Sequence, residues 1–211
     1  MALPNRVDPF GELFATSARG TLLGNRGGRI HNEQRSLGAR RWASRQWICC
    51  ELSFKDRHRD VWSSGYTELL FLDEVTGLAA GHRPCFECRR EDAEDFAAAW
   101  ARAQGLAAPP RAPEMDKALH AERLNGRAKR VHRLPIDELP DGAVIALDDG
   151  AWAIRGDEIL RWTPNGYDAR RARPRGLAFD VLTPPVTLAV LAAGYQPRWH
   201  GSIIDRSDQQ S

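Results

Sequence analysis

Turn residues punctuate the second half of the chain more tightly than any other feature. Residues 140–167, PDGAVIALDDGAWAIRGDEILRWTPNGY, break short runs of β-formers with Asp-Gly, Gly-Asp and Pro-Asn-Gly turns. Turns this short join adjacent antiparallel strands, because a parallel return needs a crossover of a dozen or more residues. The stretch therefore reads as three short strands of a small antiparallel sheet or barrel. Residues 177–182 offer a fourth strand. Thr183-Pro184-Pro185 then leads into a helix over 186–193, with Thr183 as its N-cap and Gly194 as its stop.

The first half has a different texture. Its first 46 residues are rich in Gly and Arg and weakly periodic, which reads as loops and short strands. Residues 47–54 (WICCELSF) alternate as a strand. Ile48, Cys50, Leu52 and Phe54 share the apolar face, so Cys50 points inward, while Trp47, Cys49, Glu51 and Ser53 take the other face. A further strand falls over 66–72, and a short helix over 73–80 starts at Asp73 and ends before Gly81. Residues 87–104 read as a long helix with Phe96 and Trp100 on one face. GLAAPPRAP at 105–113 reads as a connection, and residues 116–124 as another helix stopped by Asn125-Gly126. The sum is an α+β fold, with an α+β domain over 1–135 and a β-rich unit over 136–211, or the two as one compact unit.

A chain of 211 residues buries enough surface to fold without disulfides or metal. No apolar run nears the roughly 20 residues that span a bilayer. The opening MALPNRVDPFGELF lacks the basic-then-apolar layout of a secretory signal, so the expected compartment is the cytoplasm. Reduced thiols are expected there.

All four cysteines lie in two pairs, Cys49-Cys50 and Cys85-x-x-Cys88. Two thiolates spaced C-x-x-C at a turn into a helix can hold one edge of a tetrahedral zinc site. Cys50 or Cys49 can add a third ligand, and His58, His31 or His82 a fourth. The set Cys50, His58, Cys85 and Cys88 is the expected metal site. The alternative is a helix turn whose cysteines are simply small buried residues.

Residues 71–89, FLDEVTGLAAGHRPCFECR, resemble the second half of the metal-binding domain of the Ada DNA-repair protein. Ala79, Ala80, Gly81, Arg83, Pro84, Cys85 and Cys88 carry the likeness. It implies that the two cysteines bind zinc with two earlier ligands, and that one cysteine accepts a methyl group from a DNA phosphotriester. The upstream pair departs from that pattern, because adjacent residues of one strand face opposite ways. The whole chain also resembles a family of bacterial proteins of about this length with similar GHRPC-x-x-CRR, LHAER, RWTP-x-GY and VLTPP stretches, a likeness that implies no activity.

Two other groups of residues suggest chemistry. Asp116, His120 and Arg123 follow one another on adjacent helical turns, so Asp116 could orient His120 as a general acid or base. A helix-surface salt bridge is the plainer account. Arg127, Lys129 and Arg130 after that helix, and Arg170, Arg171 and Arg173 after the aromatic RWTPNGY segment, could contact phosphates while Trp162 and Tyr167 stack on bases. A solvated face and a core anchor are the plainer accounts there. No phosphate-binding Gly-x-x-x-x-Gly-Lys-Ser/Thr loop and no nucleophile elbow is present.

The net charge of +2 hides 27 Arg against 3 Lys, and five blocks of alternating sign. Residues 1–60, 101–135 and 170–211 are net basic, whereas 61–100 and 136–169 are net acidic. Nucleic-acid contact and a GC-rich genome both produce an Arg excess. The sequence thus favours a nucleic-acid-binding or DNA-repair-related protein with structural zinc. The rival is a metal-dependent or His/Asp-based hydrolase or nuclease. Geometry separates them: basic blocks on one face favour binding, and basic blocks set against acidic ones favour codon bias.

Overall fold

The computed structural model describes residues 2–55 and 61–203. Six strands from the first half form one sheet: β1 (Arg6–Val7), β2 (Leu13–Phe14), β3 (Leu22–Arg26), β4 (Trp47–Cys50), β5 (Leu69–Phe71) and β6 (Arg83–Pro84). Their spatial order is β2-β1-β5-β3-β4-β6. The pairs β1–β5 and β4–β6 are parallel and the rest antiparallel. The strand expected over 47–54 stops at Cys50, where the chain leaves the sheet.

Four α-helices lie among the described residues: α1 (Glu74–Ala79), α2 (Arg90–Gln104), α3 (Ala112–Arg123) and α4 (Pro185–Ala192). Asp73 caps α1 as expected, accepting from the Thr76 N–H at 2.9 Å. Helix α3 begins four residues before its expected start, because Pro113 suits a first turn instead of breaking one. Thr183 does not cap α4. Its hydroxyl accepts from the Val144 N–H at 2.9 Å, and Pro184 stands at the cap.

A hairpin of β7 (Leu124–Asn125) and β8 (Ala128–Lys129) follows α3. The second large sheet contains β9 (His132–Pro135), β10 (Val144–Leu147), β11 (Gly150–Arg155), β12 (Glu158–Thr163), β13 (Gly166–Ala172) and β14 (Ala178–Val181). It is antiparallel throughout, in the order β13-β12-β11-β10-β14-β9. The three expected turns fall where the sequence puts them, between Leu147 and Gly150, Arg155 and Glu158, and Thr163 and Gly166. The last opens a strand the sequence reading missed, β13. GYDARRA lacks an apolar face because β13 is an edge strand whose residues are mostly exposed.

Helix α1 is buried on every side and lies where the two sheets meet. Val75 and Ala79 pack on Val144, Ala151, Ala153 and Leu182 of the second half. Across the helix, Ala80 packs with Leu69, Phe71 and Cys49 of the first sheet. Helices α2, α3 and α4 share another core of Phe96, Trp100, Met115, Leu119, Val190 and Tyr195. A separate core around Trp152, Ile145 and Ile154 includes Leu188 of α4. Together these contacts fix the turn that joins α1 to α2 between the first sheet and α3.

Candidate metal centre and the basic pocket beside it

Gly81 to Cys88 forms that turn, and each hydrogen bond within it narrows where its thiols can go. Strand β6 pairs with β4 in parallel, Ile48 opposite Arg83 and Cys49 opposite Pro84. The next N–H, of Cys85, donates to the Cys49 carbonyl at 3.0 Å. This register sets Cys85 beside Cys50, and the turn over 86–88, closed by the Arg89 N–H donating to the Cys85 carbonyl at 3.0 Å, returns Cys88 to the same spot before α2 begins. The three Sγ atoms lie within 4.8 Å of one another. A tetrahedral zinc with Zn–S bonds of about 2.3 Å needs a sulfur spacing of about 3.8 Å, so small side-chain rotations suffice. Cys50, Cys85 and Cys88 form a cluster that could hold a metal ion.

The backbone favours thiolates there. The Glu51 N–H donates to Cys88 Sγ and the Glu87 N–H to Cys85 Sγ, both at 3.4 Å. Such donors stabilise negative sulfur. Cys85 also receives hydrogen bonds from Cys50 and then Cys88, which pull its thiol well below the usual range. Its own hydrogen bonds to Cys85 and then Cys88 push Cys50 upward, and burial adds to the shift. All four cysteines are unbridged.

Other candidate ligands fall elsewhere. Cys49 faces away from the cluster toward α1, where a Cβ on Gly77 would come within 3.1 Å of its sulfur. His31 sits between Thr67 and the Ser63 carbonyl and stacks on Trp62. His82 is buried against Trp47 and Phe71 and faces the Arg26 Nε at 3.4 Å. His58 lies outside the described residues.

The expected acid–base pair is not formed. Both Asp116 carboxylate oxygens accept from Arg83, each at 2.9 Å, in a buried fork. His120 Nδ1 instead meets Arg123 at 3.0 Å, and Trp42 stands edge-on to its ring. Helical spacing places Asp116 and His120 on one side of α3. The packing of Arg83 against that helix takes the carboxylate.

The expected phosphate contacts divide into two groups. On β13 and just after it, each arginine has a partner: Arg170 pairs with Glu158 at 3.3 Å, Arg171 with Asp149 at 2.7 Å, and Arg175 with Asp157 and Asp137. Arg173 donates to the Ile136, Leu139 and Gly156 carbonyls. The last basic block is thus set against the preceding acidic one. Trp162 and Tyr167 are core anchors, donating to Thr76 Oγ1 and Asp73 Oδ2 at 2.9 Å each.

The first and second basic blocks, 1–60 and 101–135, meet. Arg26, Arg41, Arg123, Arg127 and Lys129 line one pocket with Trp42 and Trp47, and Glu12 is its only carboxylate among the described residues. The Arg26 and Arg123 guanidinium carbons stand 4.1 and 3.9 Å from the Trp47 ring centre. Arg123 also packs on Gly81, which has φ +87°; a Cβ there would lie 2.6 Å from Arg123 Cδ. Lys129 donates to the Ala79 carbonyl, Arg127 to the Ala39 carbonyl, and Arg130 to the Leu124 carbonyl at 3.0 Å. Sequence reading missed Arg26 and Arg41 here, since neither lies in a motif. Their one shared signal is membership of the Arg-rich first block.

No family model, curated protein or solved structure matches the chain. No helix among the described residues is long and apolar enough to cross a membrane.

Proposed function

We propose that this chain is a zinc protein with a nucleic-acid partner, the metal being held by Cys50, Cys85 and Cys88 with His58 as the fourth ligand. The convergence of three thiols from two remote segments carries the metal half of the reading. Zinc is the ion whose preferences best suit a sulfur-rich tetrahedral set. Bound there, it supplies a closed structural tie, anchoring the end of β4 to the turn before α2. His58 enters from sequence, eight residues after Cys50 on the same connection. The Ada-like segment agrees with this ligand pattern at Cys85 and Cys88.

Elemental analysis with thiol titration tests the metal. One zinc per chain is expected, retained in Cys49→Ser and lost in Cys50→Ser, with weaker retention in His58→Ala. A metal-free protein with four freely titrating thiols contradicts the reading.

The nucleic-acid half rests on the meeting of two basic blocks around Trp42 and Trp47. Binding to a single-stranded oligonucleotide should weaken steeply with salt. It should fall further in Arg127→Ala with Arg130→Ala than in Arg170→Ala with Arg171→Ala, since the latter two arginines pair with Glu158 and Asp149. Salt-independent binding, or the reverse ranking, contradicts it.

A further inference from the structure

Arg26 and Arg123 are 2% and 0% exposed, yet neither forms an ion pair among the described residues. Arg26 donates to the Gly11 carbonyl at 2.8 Å and the Arg41 carbonyl at 3.4 Å. Arg123 donates to the Gly81 and Arg45 carbonyls at 2.9 and 2.7 Å. Its Nε is buried with no hydrogen-bond partner. Lys129 joins them through a carbonyl alone. Folding has therefore buried two guanidiniums and half-buried an ammonium whose hydrogen bonds go to neutral groups, with Glu12 and Asp8 acting on them only from beyond ion-pair distance, an arrangement that buried charges avoid unless an anion completes it.

Their electrostatics agree. Burial, aided by mutual repulsion, pulls Lys129 down to about 7 and Arg123 to about 9. Burial also takes Arg26 to about 9, although Glu12 and Asp8 oppose the shift. Elsewhere in the molecule buried arginines meet carboxylates, as Arg83 meets Asp116 and Arg89 meets Glu74.

We propose that this pocket is a binding site for a phosphoryl group, seated among Arg26, Arg41, Arg123 and Lys129 beside the Trp47 ring. A single carboxylate could offset only one of these cations. A phosphate dianion offers several acceptor oxygens to guanidinium forks and an ammonium. The phosphoryl group can come from a free phosphate compound or from a nucleic-acid end. The second source deepens the partner reading above and rests on it; the first does not. Neither depends on the metal.

Titration calorimetry with inorganic phosphate, at fixed ionic strength against chloride, tests the site. Saturable binding is expected, weakened about tenfold or more in Arg41→Ala, whose partly exposed side chain can be cut back without emptying the core. Lys129→Met should weaken it similarly. A second arm compares oligonucleotides of one sequence with a 5′-phosphate or a 5′-hydroxyl. Preference for the phosphorylated end, lost in both variants, supports a nucleic-acid end as the source. Phosphate binding with indifferent oligonucleotides keeps the site and removes the nucleic-acid source. No saturable heat with phosphate, or binding unchanged in folded Arg41→Ala and Lys129→Met, overturns the proposal.

Discussion

At the scale of single residues, the Gly81-to-Cys88 turn concentrates the constraints. Asp116→Ala would strand the Arg83 guanidinium, which is 1% exposed, and should cost about 3–5 kcal/mol in urea unfolding. Arg83→Met combined with Asp116→Leu should recover most of that loss; an equal loss in the double variant would contradict the ion-pair account. Lys129 makes a pH prediction. The folded chain releases its proton near pH 7, whereas the unfolded chain keeps it to about 10.4. Below pH 7 both states hold the proton and the slope vanishes. Above it the unfolded state binds more protons, so Lys129 makes stability rise with pH. Lys129→Met should flatten the rise between about pH 7 and 8.5. An undiminished rise in the variant would place the titration elsewhere.

Elements show what a single sequence can carry. The turns of the second sheet were legible because a two-residue connection leaves no other pairing, and Asp73 was legible as the cap of α1. Strand β13 was not, because an edge strand need not alternate. Nor could the sequence tell that Trp162 and Tyr167 anchor on α1 instead of stacking on bases. That choice depends on Asp73 and Thr76, some 90 residues away. The contact has a measurable strength. Tyr167→Phe removes one donor from the buried Asp73 carboxylate and should cost about 1–2 kcal/mol. Chemical denaturation reads it directly, and an unchanged midpoint would mean that this hydrogen bond adds nothing to the hold of the second sheet on α1.

For the whole molecule, the question posed by 27 arginines divides in two. The block after β12 is neutralised by its acidic neighbours, as a codon-driven excess would be. Arg26, Arg41, Arg123, Arg127 and Lys129, drawn from the first two basic blocks, converge on one pocket with no ion pair of their own among the described residues, as a binding site would. Block charge was readable from the chain, but block placement was not. The thiol cluster shows the same limit. Spacing gave Cys85 and Cys88, alternation gave Cys50, and only the parallel β4–β6 register brings the three together. If zinc is the tie proposed, it stabilises the folded chain alone. A chelator should then lower the melting temperature in the parent protein and leave Cys50→Ser unmoved. The central claim is most directly tested by the zinc-edge X-ray absorption spectrum of the purified protein. A shell of three sulfurs at about 2.3 Å and one nitrogen at about 2.0 Å is expected. A shell of nitrogen and oxygen alone, or no zinc signal, would contradict the three-thiolate centre.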